Sequence, residues 1–452
     1  MPSSLDRTAW RPIHTRIALA LGVGWALDSF EVQIINSVIK PIAADFGLSD
    51  TEKILVYLPW FAGILVGALA FGSLADRLGR KRLFVATLLF YSTFATLTAA
   101  SWNLESLMAL RFLTGLGVGG EYAVVASAIA EFVPARHRGR TNALVMSFWA
   151  IGGIAAGVTG ITFLTAFSAD GGWRYALLFG AVAALFALYA RRVIPESPRW
   201  LASRGRTAEA EAVIAEMTGG PPAPGELERL LAPRDSAREQ LGELWAHHRG
   251  RLLYGMALDF SEAAAYYGIF TFTAVFVLAE GVVDVADNLV PVYFLIANVG
   301  ALLGGLTVAW SLERFGRKPT TFVTYSAAAA AVLLLAGAAS TGSPGLVLAA
   351  LTLAVFCATT AWVGAYPTFS ELFPTHLRAT GVGASVAVGR VGAILGNVVL
   401  GLSASSFGLG TGFALLAGFW LIGAAAAAVW WWRGVEGRGV ALEVLSPVGG
   451  RS

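Results

Sequence analysis

Apolar residues fill this chain in blocks of about twenty or more, and the polar residues collect in short stretches between them. A helix needs about 20 consecutive, mainly apolar residues to cross a bilayer. Runs of that length predict twelve helices, at about 17–40, 54–75, 82–101, 104–132, 141–165, 173–194, 251–280, 288–312, 319–340, 344–372, 379–405 and 409–432. The short alternating segments of a membrane β-barrel are missing, which leaves the helix bundle as the spanning structure. The expected fold is an all-α polytopic membrane protein of twelve transmembrane helices in two pseudo-symmetric six-helix lobes. The pattern divides into an N-terminal segment 1–16, a first lobe 17–194, a connection 195–250, a second lobe 251–432 and a tail 433–452. In the connection, 207–217 and 226–231 read as short surface helices, split by the breaker Gly219-Gly220-Pro221-Pro222. The tail carries no helical pattern and reads as disordered.

Composition agrees with this class. Of 452 residues, 56% are hydrophobic and 13% charged, about half the charged share of a soluble domain. The single cysteine, Cys357, rules out an internal disulfide framework. The first apolar run continues at spanning length with no small-residue cleavage site, so no removable signal peptide is expected. With the N-terminus inside, only Lys40, Lys53 and Arg174 fall in outside loops, and only Arg111 and Arg390 lie within helices. The positive-inside rule then places both termini in the cytoplasm, in a cell (inner) membrane.

Charged residues inside the spanning runs are few. Asp28 and Glu31 stand three apart in the first helix, and Asp259 and Glu262 repeat that spacing in the seventh. Residues three apart share a helix face. A charged residue at the centre of a membrane helix costs about 2.5–3.5 kcal/mol on insertion scales, so such a face should look into protein rather than lipid. At 1.5 Å per residue, Asp28, Asp259, Glu262 and Arg390 come out roughly 12–17 Å along their helices, near mid-depth of a core about 30 Å thick.

Two further features recur. The helix 2–3 loop carries Asp76, Arg77, Gly79, Arg80, Lys81 and Arg82; the helix 8–9 loop carries Glu313, Arg314, Gly316, Arg317 and Lys318. Helix 4 ends with Glu131, Pro134 and Arg138, and helix 10 with Glu371, Pro374 and Arg378. A duplicated six-helix unit with acidic and basic residues at matching places marks a two-lobed transporter. Carboxylates and cations at these helix ends are expected to pair as a gate. Each exposed pair is worth about 0–1 kcal/mol, weak enough for transport to break.

These loops carry a family resemblance. The segment 72–82 resembles the hallmark loop of the major facilitator superfamily. Arg111, Gly115, Gly117, Gly119, Gly120 and Glu121 look like its helix 4 motif. The stretch Pro195-Glu196-Ser197-Pro198-Arg199-Trp200-Leu201 resembles the motif after helix 6 of sugar porters and organic-ion transporters. With the repeat, the match covers nearly the whole chain. Gly24-Trp25, Ser147-Phe148-Trp149, Tyr266-Tyr267-Gly268 and the stretch from Gly389 and Arg390 to Gly396 look like the niacin-type and synaptic-vesicle-glycoprotein-like branch, near the proton symporters of aromatic acids. The glutamine-rich helix 7 motif of sugar porters and the helix 5 Gly-Pro motif of drug antiporters are both missing, which demotes sugar uptake and multidrug antiport. The resemblance implies that helices 1, 4, 7 and 10 line a central cavity. It also places Glu196, Arg199 and Arg111 among the gating or packing residues.

Several carboxylates in one poorly solvated cavity cannot all stay ionised cheaply, so at least one should carry a proton. Asp28 ranks first as the proton-coupling site, followed by Glu31 and Glu121. Arg390, alone among basic residues at mid-depth, either grips a substrate carboxylate through two parallel donors or neutralises one of the acids. Asn397, seven residues on, shares its face. Phe30, Trp149, Tyr266, Tyr267, Trp362 and Tyr366 are candidate cavity walls, with Asp259 and Glu262 beside them. Aromatic walls suit a ring or, through cation–π attraction, an organic cation.

No phosphate-binding loop is present, so ATP-driven transport is not expected. The glycines of helix 4 follow no strand and read as close helix packing. The histidines have no zinc-ligand spacing, and the basic clusters follow topology rather than a nucleic-acid surface. The chain is therefore read as no enzyme, without cofactor or structural metal, working as a monomer in the lipid bilayer. The leading expectation is a proton-coupled symporter of a small organic ion, a carboxylate such as an aromatic or pyridine acid. The alternatives are a transporter of an organic or divalent metal cation, a sugar porter, and a non-transporting receptor on the same scaffold.

Overall fold

The computed structural model describes residues 5, 8–167, 171–231, 236–374 and 377–434. The side chains of Asp76, Arg77 and Glu371 lie outside the described residues, as does the tail after Gly434. The spanning helices are α1 (Pro12–Phe46), α2 (Leu58–Leu78), α3 (Arg80–Thr98), α4 (Leu104–Phe132), α5 (Arg138–Ala166) and α6, which runs Gly172–Leu178, through a 3-10 turn at Phe179–Ala181, into Val182–Val193. After the connection come α7 (Arg249–Phe272, extended by a π-helical stretch Thr273–Ala279), α8 (Val290–Phe315), α9 (Arg317–Ser340), α10 (Pro344–Leu372), α11 (Arg378–Phe407) and α12 (Leu409–Arg433). No strand occurs among the described residues. Nine of these segments are long and apolar enough to span by length and composition, among the described residues. The other three, α3, α4 and α6, complete the first lobe: α3 opens on three basic residues, α4 carries Arg111 and Glu121, and α6 is broken by its 3-10 turn.

The helices differ from the hydrophobic runs mainly at their ends. The first extends beyond the expected 17–40 because Pro12 opens it at the position where a missing N–H costs nothing, and Gly47, at φ +64°, closes it in the left-handed region. The connection holds four short helices rather than the two expected. Pro198–Ser203 is capped by Ser197, and Ala237–His247 begins with the reciprocal Ser236–Glu239 capping box.

The packing repeats in the two lobes. In the first, α1 lies on α5, α2 on α4 and α3 on α6; in the second, α7 lies on α11, α8 on α10 and α9 on α12. Glycines bring the paired helices close. A side chain at Gly63, Gly67, Gly115 or Gly119 would run into main-chain atoms of the facing helix of the α2–α4 pair, and Gly300 and Gly304 play the same part between α8 and α10. The lobes meet along α5 with α8 and α2 with α11, contacts related by the same pseudo-symmetry, and along α1 with α7.

On the face that carries the ends of α1 and α12, the gating residues expected from the first repeat bond within their own lobe. The Glu196 carboxylate accepts from the main-chain N–H groups of Arg80 (2.8 Å), Lys81 (3.2 Å) and Ser197 (3.0 Å), and so caps α3. Arg80 also pairs with Glu131 of α4. Arg138 donates to the Val133 carbonyl (3.0 Å) and Arg317 to the Leu312 carbonyl (3.1 Å), closing the helix turns they follow. Arg199 and Arg378 are half-buried, while Glu313 and Arg314 are exposed. Among the described residues, the expected gate thus includes helix capping by Glu196 and the Arg80–Glu131 ion pair, both inside one lobe.

Gly79 makes this cap possible. Its φ is +95°, and an added Cβ would lie 2.5 Å from Glu196 Oε2. Gly79→Ala should lower the melting temperature in detergent, because an L-residue held there costs about 1–3 kcal/mol and also displaces the capping carboxylate. Gly205→Ala, at φ +72° with open space around it, carries the backbone strain alone and should lower it less. Equal shifts would show that Glu196 does not depend on Gly79.

Candidate functional site

The ionisable residues of the bundle separate into three groups, each inside one lobe. In the first, Asp28 of α1 and Glu121 of α4 face each other, with the Tyr91 hydroxyl of α3 beside them. Asp28 and Glu121 are 0% exposed, and none of their four carboxyl oxygens, nor the Tyr91 hydroxyl, closes a hydrogen bond of good geometry. Gly24, one turn before Asp28, leaves the space into which Phe84 and Glu121 approach. Among the described residues no cation acts on this pair.

In the second group, Glu31 reaches the opposite way. Its Oε1 lies 2.9 Å from Arg111 Nη1, and the same nitrogen donates to the Glu31 carbonyl at 3.3 Å. Both side chains are buried, at 3% and 0% exposure, and the guanidinium sits 5.7 Å from the Trp60 ring. Glu31 was expected to share the proton-coupling role of Asp28. Its carboxylate is ion-paired with Arg111, since three residues turn a helix by about 300° and two such side chains, near enough to share a face, reach different neighbours.

The third group belongs to the second lobe. Glu262 accepts a hydrogen bond from the Tyr325 hydroxyl of α9 at 2.7 Å. Asp259 lies against Gly389 of α11, where any side chain would collide with its carboxylate, and it faces the Arg390 guanidinium. Arg390 donates to the Tyr267 hydroxyl at 3.4 Å. Asn397 is buried but spends its side-chain N–H on the Ala393 carbonyl of its own helix, at 2.8 Å. The five acids therefore do not surround one open cavity, as the sequence suggested; each is 0–4% exposed and engaged within its lobe.

Between the lobes lies a narrow cleft lined by Val32, Gln33 and Asn36 of α1, Tyr57 and Phe61 at the start of α2, Trp149 of α5, and Tyr266, Tyr267, Phe270 and Thr271 of α7. Its walls are aromatic and cross the lobe boundary. Phe61 packs on Tyr267 (5.0 Å between centroids) and Trp149 on Tyr267 (6.3 Å) and Trp362 (5.5 Å), while Tyr266 lies 5.1 Å from Trp362. Tyr366 continues this row at 6.2 Å from Trp362. Phe30, expected in the same wall, packs instead on Phe179 of α6 at 5.4 Å.

The lining contains no charged side chain. It does contain buried polar atoms that close no hydrogen bond of good geometry: Asn36 Oδ1, the Tyr57 hydroxyl, and the Tyr266 hydroxyl and Trp149 Nε1, which lie near each other. Each belongs to a residue at most 3% exposed. Buried polar atoms in native structures nearly always find partners, so these groups are the ones in the cleft that a hydrogen-bonding guest would meet. The sequence reading missed Gln33, Asn36 and Tyr57. Ser29, Gln33 and Asn36 follow one another at four and three residues along α1, a polar stripe that the same spacing argument would have found. No group of three or more histidine, cysteine or carboxylate side chains that could hold a metal ion occurs among the described residues.

The chain was compared with known proteins. The family model for "Sugar (and other) transporter" matches residues 21–446. A niacin transporter (NiaP) of Acinetobacter baylyi (strain ATCC 33305 / BD413 / ADP1) is 31% identical over 390 residues, covering 86% of each chain. The organic cation/carnitine transporter 7 of Arabidopsis thaliana is 28% identical over 419 residues, covering 83% of this chain and 82% of its own. The inward-open structure of the xylose transporter XylE from E. coli superposes with a TM-score of 0.74 at 20% identity, over 96% of this chain and 99% of that one. The matched span, the repeat of helix packing and the pocket between the lobes agree: this chain belongs to the sugar (and other) transporter family of the major facilitator superfamily.

Proposed function

We propose that this transporter moves a small aromatic compound, a carboxylate such as a pyridine or aromatic acid, together with protons. The observation that carries the reading is the Asp28–Glu121 pair. Two facing carboxyls, fully buried with no cation acting on them among the described residues, cannot both be ionised, since each unpaired charge in such a site costs several kcal/mol. At least one therefore holds a proton while this state persists. A lobe movement that admits water beside the pair would let that proton leave, which is what coupling requires. Glu31 differs in having a cationic partner, Arg111, at 2.9 Å.

The pocket supplies the rest. Its aromatic walls take the ring, and its hydroxyl, amide and indole groups take the ring's polar edge. Arg390 stands behind Tyr267 and is the cation from which a substrate carboxylate can be held. A niacin transporter among the relatives supports an aromatic acid. An organic cation is the second reading, favoured by the Trp149–Tyr266–Trp362 wall and by a relative named for that cargo. The distribution of Lys and Arg supports a terminal face in the cytoplasm and a location in the cell (inner) membrane. One chain completes the site, which supports a working monomer.

Asp28→Asn should abolish accumulation driven by an imposed pH gradient in proteoliposomes while counterflow exchange continues. A variant that still concentrates substrate would assign coupling elsewhere. Glu31→Gln tests the contrast: it strands the Arg111 charge and should cost about 3–5 kcal/mol of stability, read as a much lower melting temperature than Asp28→Asn gives.

Arg390→Gln should weaken uptake of an aromatic carboxylate by roughly tenfold or more, the loss expected for a hydrogen bond to a charged partner. Tyr267→Phe leaves Arg390 in place and serves as a milder probe of the same path. In a competition panel of aromatic acids, amines and sugars, inhibition by amines alone would replace the carboxylate with the organic cation.

A further inference from the structure

One buried chain of hydrogen bonds crosses from the first lobe to the second and passes through the wall of the pocket. It starts at the Trp149 carbonyl of α5, which accepts from the Ser29 hydroxyl at 2.5 Å. Ser29 follows Asp28 directly. The Ser29 oxygen in turn accepts from Gln33 Nε2 at 2.8 Å. Gln33 Oε1 then accepts from Asn298 Nδ2 of α8, in the other lobe, at 2.6 Å, and that nitrogen also donates to the Phe294 carbonyl at 2.8 Å. Ser29, Gln33 and Asn298 are 0%, 2% and 0% exposed. The chain is closed to water along its length.

The backbone is shaped around this contact. Gly153 of α5 sits where any side chain would overlap the Asn298 amide, and Gly157, one turn further, has Leu295 of α8 at 2.7 Å from its would-be Cβ. Asn298 enters the lobe boundary through a gap that glycine alone leaves. Gln33 also lines the pocket beside Trp149, Tyr266 and Tyr267. A glutamine amide offers two N–H donors and two lone pairs, of which this chain uses one each. One donor and one acceptor remain for a ligand.

We propose that Gln33 is a substrate-contacting residue and that its bond to Asn298 ties the lobes together on the far side of the pocket, so that occupancy and closure are read by one amide. This rests on the transport reading above. The far side is where Lys40 of α1 meets Asp287 at 2.9 Å and the Val285 carbonyl at 2.8 Å, and where Ile54 fills the space over Gly401 of α11. Those contacts seal the outer surface; the Gln33–Asn298 tie lies one layer beneath them. Ligand bound against Gln33 fixes the amide in the orientation that Asn298 needs. Loss of the tie releases α8 from α1.

The test uses a single-cysteine reporter, Ile54→Cys in a Cys357→Ser chain, labelled by a membrane-impermeant maleimide from the outer face. Gln33→Leu and Asn298→Leu should each speed labelling about three- to twentyfold, the range of interhelical hydrogen bonds in membranes. The double variant should be no faster than either single one, since both remove the same bond. Gly153→Ala should reproduce the effect with both amides intact, which separates the tie from a folding defect in either variant. Nicotinate is the probe ligand: it should slow labelling of the reporter chain and fail to slow it in the Gln33→Leu variant. Unchanged labelling in all three single variants, or strictly additive effects in the double one, overturns the tie. Equal protection by nicotinate with and without Gln33 overturns the ligand contact. Uptake by the reporter chain itself is measured in parallel, so intact uptake with unchanged labelling rejects the tie alone, and absent uptake rejects the transport reading.

Discussion

A charge buried among helices must be paired, neutralised or excluded, and this constraint arranges most of the molecule. Each of the five mid-helix acids meets it differently. Glu31 is answered by Arg111, which reaches it from α4 and rests against Trp60. Glu262 takes a hydroxyl from Tyr325, and Asp259 faces Arg390 across the space that Gly389 leaves empty. Among the described residues, Asp28 and Glu121 face each other and Tyr91, with Glu31 nearby and no cation. The bundle thus gives Glu31 and Asp259 a guanidinium and Glu262 a hydroxyl, and sets Asp28 and Glu121 against each other. That difference, rather than the number of acids, separates structural charge from chemistry.

The same accounting explains where the ligand space sits. Because the charged groups turn inward within each lobe, the boundary between lobes is left to aromatic rings, amides and hydroxyls. Rings can slide and tilt against one another at small cost, and their centroid separations of 5.0–6.3 Å across the boundary are ordinary edge and tilted contacts. A wall of this kind accepts a planar guest and survives rearrangement. Cations stay within reach, Arg390 through Tyr267, without lining the space itself.

Much of this was legible before any coordinates. Hydrophobic runs located the helices, the repeated acid and basic loops gave the two lobes, and the cost of charge in lipid singled out Asp28, Glu31, Asp259 and Glu262 as groups facing protein. What the chain alone could not show was pairing. Glu31 and Arg111 are far apart in sequence and belong to motifs that read separately, so only helix packing reveals that they neutralise each other. Phe30 was placed in the wall through its neighbours, yet a helix turns about 100° per residue, and one step carries it to Phe179. Gln33, Asn36 and Asn298 passed unremarked because an uncharged amide disturbs an apolar run far less than a carboxylate does. Their importance comes from what they touch.

The strength of the lobe contacts carries the final step. Within each lobe, glycine-lined helices such as α2 and α4 press backbone against backbone, which makes each lobe stiff. Between lobes the far-side ion pair Lys40–Asp287 is 25% and 53% exposed, so it is worth about 0–1 kcal/mol. The amide bond of Gln33 to Asn298 belongs to a class that contributes about 0.6 kcal/mol on average in membranes. Stiff lobes joined by side-chain ties of this size and by the packing of α5 on α8 and α2 on α11 can act as a two-state element, and a ligand shifts such an element only by as much as it prefers one state over the other. Preferences of a few kcal/mol suffice to outweigh ties of this scale. A stronger interface would have held the lobes in one orientation, and a single continuous core would have left no boundary for the pocket to occupy.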